Sequence, residues 1–85
     1  MDTKAKKAEK ELTEEELYSR IGKRMRELRE ERGKSLLYVG GELGYSESCL
    51  SRKENGKRSF SAYEVMQIAN YYGVCVSYFY QESEF

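Results

Sequence analysis

Apolar residues recur every three or four positions in the first third of the chain, which is the spacing of one helical face. The stripe consists of Leu17, Ile21, Met25 and Leu28. Thr13 and Glu16 form a capping-box pattern ahead of it, and Gly33 is suited to end a helix. The pattern predicts a first helix over about 14 to 32.

Two short helices and a tight turn are predicted next. Ser35 begins a helix over about 36–43 that Gly44 closes, and Ser46 begins a third over about 47–54. Glycine destabilises the interior of a helix, so the presence of Gly40 and Gly41 inside the second predicted helix requires an explanation. For Gly40 we expect close packing against another helix, whereas Gly41 has no evident reason.

The last third of the chain predicts two further helices. Ser61 and Glu64 form a second capping box that starts a helix over about 62–72, with Val65, Ile68, Ala69 and Tyr72 on its buried face. Val74 and Val76 are expected to fill the core in extended form, and Ser77 to cap a short helix over about 78–82. The predicted fold is all-α, a compact bundle of five short helices.

The third predicted helix is unusual because Leu50 is the only large apolar residue between Ser46 and Glu54. Such a helix packs against the core through this one side chain and leaves most of its other side chains exposed. The displayed side chains are Glu47, Ser48, Ser51 and Arg52, with Lys57 and Arg58 just beyond. Hydroxyls and long cations of this kind reach base edges and phosphates in the major groove of DNA.

Length and composition limit the alternatives. A chain of 85 residues holds one small domain, which we place at 13–85 after a charged, disordered tail over 1–12. No apolar run is long enough for a membrane span, and the charged start is unlike a signal peptide, so the cytoplasm is expected. Cys49 and Cys75 are expected to be reduced, half-buried thiols, with no metal site and no cofactor.

Charge is balanced overall but not along the chain, since 15 Lys and Arg oppose 15 Asp and Glu. Eleven Lys and Arg but only six Glu lie between Arg20 and Phe60, an excess of five positive charges. Three Glu and no cation follow from Ser61 onward. A one-sided positive face is what binding to phosphates requires.

The order and spacing of several short motifs resemble the phage-repressor/Cro-like regulators, also called the XRE family, over about residues 21–80. The motifs are Arg26-Glu-Leu-Arg29, Arg32-Gly33, Ser35, Val39-Gly40, Leu43-Gly44-Tyr45-Ser46, Leu50-Ser51, Glu54-Asn55-Gly56-Lys57-Arg58, Ile68-Ala69 and Tyr72-Gly73-Val74. The resemblance implies a lambda-repressor-like DNA-binding domain whose second and third helices form a helix-turn-helix.

The resemblance also implies a role for individual positions. Arg29 and Glu54 match a partly buried salt bridge that holds the third helix. The positions matching the family's base-reading residues are Glu47, Ser48, Ser51 and Arg52. Phosphate contacts are implied for Ser35, at the start of the second helix, and for the loop residues Asn55, Gly56, Lys57 and Arg58, through backbone N–H groups and side chains.

Some positions depart from the family pattern. Leu36 stands where a Gln usually touches the DNA backbone, and Glu47 is acidic at a DNA-facing site. Lys53 stands where an apolar residue usually closes the core, so it is expected to extend to solvent or to face the DNA.

The leading functional hypothesis is a sequence-specific DNA-binding transcriptional regulator, a repressor that acts by occupying its operator. A homodimer is expected because one short helix reads few bases, and the C-terminal aromatic residues Tyr71, Tyr78, Tyr80 and Phe85 are its expected contact. The alternative is a helix-turn-helix that binds a protein, such as an antitoxin. An enzyme is not supported, because the chain has no His and no catalytic motif.

Overall fold

The computed structural model describes residues 12–81, and within that range the regular structure is entirely helical. The helices are α1 Glu14–Glu31, α2 Leu36–Leu43, α3 Glu47–Glu54, α4 Ala62–Tyr72 and α5 Ser77–Tyr80. The predicted all-α fold of five helices is therefore confirmed for the described part of the chain. The prediction of a disordered tail over 1–12 falls outside the described residues, apart from Leu12.

Local capping explains where the first four helices begin and where two of them end. A hydroxyl accepts from the backbone N–H three residues on at each start, and the capping residues are Thr13, Ser35, Ser46 and Ser61. The Glu64 side chain completes a capping box by accepting from the Ser61 N–H at 2.9 Å. Gly44 and Gly73 close α2 and α4 with φ of 88° and 72°, a left-handed conformation that side chains other than Gly rarely adopt.

The C-terminal turn differs from the prediction. Ser77 is the first residue of α5 rather than its cap, and the N-cap is Val76, which makes no side-chain capping bond. The N–H groups of Tyr78 and Phe79 bind the carbonyls of Cys75 and Val76, both at 3.0 Å. This tight turn delivers Phe79 to the core and leaves Val76 at the surface.

Two further predictions about this segment are wrong for the same reason. Val76 precedes α5 with a right-handed backbone conformation (φ −56°, ψ −37°) and is 39% exposed, so it is not an extended plug of the core. Cys75 is exposed rather than half-buried, whereas Cys49 is half-buried as expected. Val74 packs against the core, as the sequence predicted.

One hydrophobic cluster joins all five helices. Its buried members are Ile21, Met25, Leu28, Val39, Leu50, Phe60, Val65, Ile68, Ala69, Tyr72 and Phe79. The apolar stripe of α1 is therefore the predicted one, with Leu17 only partly buried at its end. Helix α1 packs on α3 and α5, and α2 packs on α3. The core thus supports α3 from behind, and within the described part of the chain the outer surface of this helix is exposed.

Close packing explains one glycine of α2 but not the other. A Cβ added to Gly40 would lie 2.7 Å from the carbonyl oxygen of Tyr45, in the turn before α3. The missing side chain therefore lets the turn fold back on α2. Close packing at Gly40 is as predicted, but its partner is the turn between α2 and α3 rather than another helix. A Cβ at Gly41 would meet nothing within 4 Å, so the structure gives no reason for that glycine.

Candidate nucleic-acid interface

Helix α3 presents a polar surface outward and is anchored by its opposite side. Leu50 is fully buried, while Glu47, Ser48 and Arg52 are exposed and Ser51 is half-buried. The Ser46 hydroxyl accepts from the Cys49 N–H at 3.1 Å, which fixes the start of the helix. The residues singled out in the sequence therefore lie on one accessible surface, with carboxylate, hydroxyl and guanidinium groups free to meet a partner.

An ion pair behind α3 ties it to α1. Arg29 donates from Nε to Glu54 Oε2 at 2.7 Å and from a terminal nitrogen to Oε1 at 3.0 Å. The two side chains are 11% and 3% exposed, and Arg29 also donates to the Lys34 carbonyl at 2.8 Å. The Glu54 carboxylate raises the pKa of Arg29, so the guanidinium stays charged. The Arg29–Glu54 salt bridge implied by the family resemblance is thus present.

A glycine that the sequence analysis did not single out makes this approach possible. A Cβ added to Gly22 of α1 would lie 2.6 Å from the Glu54 carbonyl oxygen, and it would also collide with the Lys53 carbonyl. The end of α3 therefore rests directly on the backbone of α1. No local signal in the sequence shows this contact, because the two segments are about thirty residues apart.

Lys53 does not extend to solvent or toward a ligand, contrary to the sequence prediction. The residue is 5% exposed. Its Nζ donates to the Ser59 carbonyl at 2.7 Å and lies 3.2 Å from Glu64 Oε2. The ring centres of Phe60 and Tyr45 lie 4.7 Å and 5.4 Å from the same nitrogen. The Lys53 ammonium therefore occupies a position that is usually apolar, because a carboxylate and two aromatic faces stabilise its charge there.

Glu64 is the carboxylate that makes this substitution possible, because it joins three segments. It caps α4 through the Ser61 N–H, receives Lys53 of α3, and accepts from the Tyr45 hydroxyl at 3.1 Å. Desolvation raises the pKa of Glu64, but the Ser61 N–H, Lys53 and Tyr45 outweigh it and lower that pKa below its ordinary value. Burial, and then the bond to Glu64, raise the pKa of Tyr45.

The loop after α3 is used differently from the prediction. The N–H groups of Asn55, Gly56 and Lys57 bind the carbonyls of the last turn of α3, at 3.0, 3.1 and 2.9 Å. These N–H groups are therefore occupied in closing the helix and are not free to clamp a phosphate. The side chains of Asn55, Lys57 and Arg58 are exposed and remain available.

Gly56 also brings the loop against α1. Its φ is 75°, and a Cβ there would lie 2.8 Å from Ser19 Cα. The loop and the start of α1 enclose an open cavity of about 520 Å³, lined by Glu15, Tyr18, Ser19 and residues 55–59. The sequence analysis missed Tyr18 and Ser19, because only the fold brings them beside the two cations Lys57 and Arg58.

A second basic depression lies at the start of α2. It has a volume of about 380 Å³ and is lined by Arg32, Gly33, Lys34, Ser35 and Tyr38. The Ser35 hydroxyl accepts from the Tyr38 N–H at 3.0 Å, so it caps the helix, and Lys34 Nζ lies 4.6 Å from the centre of the Tyr38 ring. The first N–H groups of a helix have no intrahelical acceptor, so cations and backbone donors together favour an anion here.

The aromatic residues expected at a dimer contact are only partly accessible. Tyr71 and Tyr78 pack against the core, and Tyr80 is 38% exposed. Arg24 stacks on the Tyr78 ring at 4.8 Å, while Arg20 donates to the Tyr80 carbonyl at 3.0 Å. Phe85 lies outside the described residues.

Two other classes of site, a metal centre and a membrane-spanning helix, are absent from residues 12–81. That part of the chain holds no group of three or more Cys, Asp or Glu placed to bind a metal ion. Its helices are also too short or too polar to cross a bilayer.

Comparisons with known proteins agree with this geometry. The family described as "Helix-turn-helix domain" matches residues 20–76, which include α2, α3, α4 and most of α1. Among solved structures, the DNA-binding domain of BldD from S. venezulae aligns with a TM-score of 0.67 at 24% identity, covering 78% of this chain and 99% of that one. No curated protein matches the chain in sequence.

Proposed function

The chain belongs to the helix-turn-helix domain family, and from that premise we propose that it is a sequence-specific DNA-binding regulator. The observation that carries this proposal is the mounting of α3. Two ion pairs, Arg29–Glu54 and Lys53–Glu64, hold the helix from behind, while its opposite surface is polar and open. A rigid helix with exposed donors and acceptors is the recognition element of this class of domain.

In the proposed complex, α3 lies in the major groove and four of its side chains read bases. Arg52 donates two hydrogen bonds to guanine, and Glu47 accepts from the amino group of cytosine. Ser48 and Ser51 supply short hydroxyls that donate or accept. Glu47 also repels phosphates, so it weakens binding to DNA of unrelated sequence and thereby favours a specific site.

Phosphate contacts flank this helix on both sides. Beyond α3, the side chains of Lys57 and Arg58 bind the backbone together with Asn55, while Gly56 allows the loop to approach α1. On the other side, Ser35 and the depression beside Arg32 and Lys34 receive a second phosphate at the start of α2.

We propose that the regulatory effect comes from occupancy itself: the domain 13–85 binds an operator in the cytoplasm and thereby represses transcription. Neither catalysis nor a cofactor is part of the proposal. Two copies are proposed to bind together, because α3 has eight residues and covers one half-site.

The test is selection of bound sequences from a random duplex pool at about 0.15 M salt, where non-specific binding is weak. An enriched motif supports the proposal, and a palindrome with half-sites one helical turn apart also supports the dimer. No enrichment, together with binding that disappears as salt is raised, contradicts sequence-specific recognition.

A second candidate function is a protein-interaction module such as an antitoxin. The observation that favours it is the exposure of Leu37 and Tyr38, at 65% and 51%, on α2 beside the candidate interface. Leu36 also replaces a residue that touches DNA in related regulators. Salt separates the two, because DNA binding falls steeply with ionic strength and a hydrophobic protein contact does not.

A further inference from the structure

The exposed side of α4 forms a surface that the proposed DNA contact does not use. We call Tyr63, Met66, Gln67 and Asn70 the α4 outer face, since their spacing of three, one and three residues places them on one side of the helix. All four are exposed, whereas the opposite side, with Val65 and Ile68, is buried. Tyr63 is 63% exposed and Met66 is 43% exposed.

The α4 outer face carries no charge, in a chain of which 35% is charged. Between Ser59 and Gln81 the only Asp, Glu, Lys or Arg is Glu64, and its carboxylate is bound by Lys53, Tyr45 and the start of its own helix. The exposed surfaces of the preceding helices, in contrast, carry charged groups such as Glu27 on α1, Glu42 on α2 and Arg52 on α3.

We propose that the α4 outer face binds the same face of a second copy of this chain. In a two-fold interface each residue near the axis meets its own copy, so a charged group there would face a like charge. The polar groups of this face avoid that conflict. Tyr hydroxyls and the amides of Gln67 and Asn70 both donate and accept hydrogen bonds, so each group can pair with its own copy.

Other occupants fit the face less well. A nucleic-acid backbone or an anionic membrane requires cations, and this face has none. A charged protein would find no complementary charge. Tyr and Met are enriched in the cores of protein interfaces, from which charged residues are depleted, and a neutral partner with the same groups is provided by the chain itself.

This surface replaces the C-terminal aromatic residues as the place where two copies meet. Tyr71 and Tyr78 are partly buried and pack against the core. The Tyr71 ring lies edge-on to Tyr72 with ring centres 4.9 Å apart, and Arg24 stacks on the Tyr78 ring. On the α4 outer face, Gln67 donates a 3.4 Å hydrogen bond to the Tyr63 hydroxyl, and all four side chains of the face are exposed. The role of the dimer in binding paired half-sites rests on the proposed function, but its formation does not.

The experiment is sedimentation equilibrium of the full chain over a range of concentrations. The native chain is expected to dimerise, and Tyr63→Glu and Met66→Glu are each expected to raise the dimer dissociation constant by at least about tenfold. Leu37→Glu, an equally exposed apolar position on α2, is the matched control and leaves the constant unchanged. Circular dichroism confirms that each variant keeps its helices.

A charge-pairing experiment separates a direct contact from a structural effect. Met66→Glu and Met66→Lys are each expected to be monomeric alone, and an equimolar mixture is expected to restore the dimer. A native chain that remains monomeric at about 100 µM, which is a weak dissociation constant for a dimer, would overturn the proposal. So would a dimer that survives both Glu variants, or one disrupted by Tyr80→Glu instead.

The affinity of each variant for DNA is measured separately, on a duplex with a single half-site. The Glu variants at positions 63 and 66 are expected to bind that half-site like the native chain, because the α4 outer face lies apart from α3. Loss of dimerisation with intact half-site binding therefore supports both proposals. A dimer that shows no sequence preference contradicts the proposed function alone.

Discussion

Removing the carboxylate of Glu54 is expected to destabilise the domain far more than removing an exposed carboxylate. The Arg29 and Glu54 side chains are 11% and 3% exposed, and they share hydrogen bonds of 2.7 and 3.0 Å. Breaking such a buried pair from one side costs about 3–5 kcal/mol, since an unpaired charge stays buried. At about 0.05–0.15 kcal/mol per residue, that is a large part of the stability of a domain this small.

The assay is urea unfolding followed by circular dichroism, with Glu54→Gln chosen because it keeps the size of the side chain. We expect a loss of about 3 kcal/mol, the lower end for a broken buried pair. The matched control is Glu30→Gln, which breaks the exposed Arg26–Glu30 pair, whose side chains are 53% and 58% exposed. That change is expected to cost less than about 0.5 kcal/mol.

A second substitution tests the reason for the loss. If the unpaired guanidinium is the cause, adding Arg29→Met to Glu54→Gln is expected to recover at least about 1 kcal/mol. The reasoning is refuted if Glu54→Gln loses no more stability than Glu30→Gln, or if the double variant is less stable than Glu54→Gln alone.

Three further predictions concern stability and pH. In thermal unfolding, Gly22→Ala is expected to cost about 1–3 kcal/mol by overpacking, whereas Gly41→Ala, which points into open space, is expected to gain about 0.5–1 kcal/mol. Burial raises the pKa of Tyr72 from 10.0 to about 12, so the folded state holds this proton more tightly and stability falls as pH rises above 10. Tyr72→Phe should flatten that fall and cost little at neutral pH, since the buried hydroxyl has no hydrogen-bond partner among residues 12–81. The pKa of Glu64 is lowered below 4.5, so the ionised carboxylate stabilises the folded state above that pH. This stabilisation is lost as the pH falls through the pKa of the folded state, and Glu64→Gln should weaken the resulting acid dependence of stability.

Each of these predictions has a contrary result. Equal effects of alanine at positions 22 and 41 would show that α1 and α3 are not in the close contact described. An unchanged alkaline transition in Tyr72→Phe would assign the pH dependence to other groups, such as Tyr45. An acid transition that is the same in Glu64→Gln would mean that its carboxylate is not held by Lys53.

The helix boundaries could be predicted because their determinants are local. The capping boxes at Thr13 and Ser61 and the left-handed glycines at 44 and 73 act within a few residues, so the sequence displays them directly. The last turn was predicted less well, since nothing local distinguishes an extended Val76 from a helical one. Burial of Phe79 decides between them.

Long-range contacts account for what the sequence could not predict. Nothing beside Gly22 indicates that the end of α3 rests on it, and nothing beside Lys53 indicates that Glu64 neutralises it across the fold. The family resemblance implies phosphate contacts from both the backbone N–H groups and the side chains of the loop after α3, but the N–H groups of Asn55, Gly56 and Lys57 close the helix. The Arg29–Glu54 pair was expected only through the family resemblance.

In the proposed complex α3 reads bases while the flanking loop binds phosphates, and comparing one variant from each distinguishes the two roles. Binding of Arg52→Ala and Lys57→Ala would be measured by fluorescence anisotropy on a selected duplex and on a mismatched one. We expect Arg52→Ala to lose about 1–3 kcal/mol on the selected duplex and little on the mismatched one. Lys57→Ala is expected to weaken both equally and to reduce the salt slope by about one. If the two variants lose the same affinity on both duplexes, Arg52 does not read bases and the account of α3 as a recognition helix is contradicted.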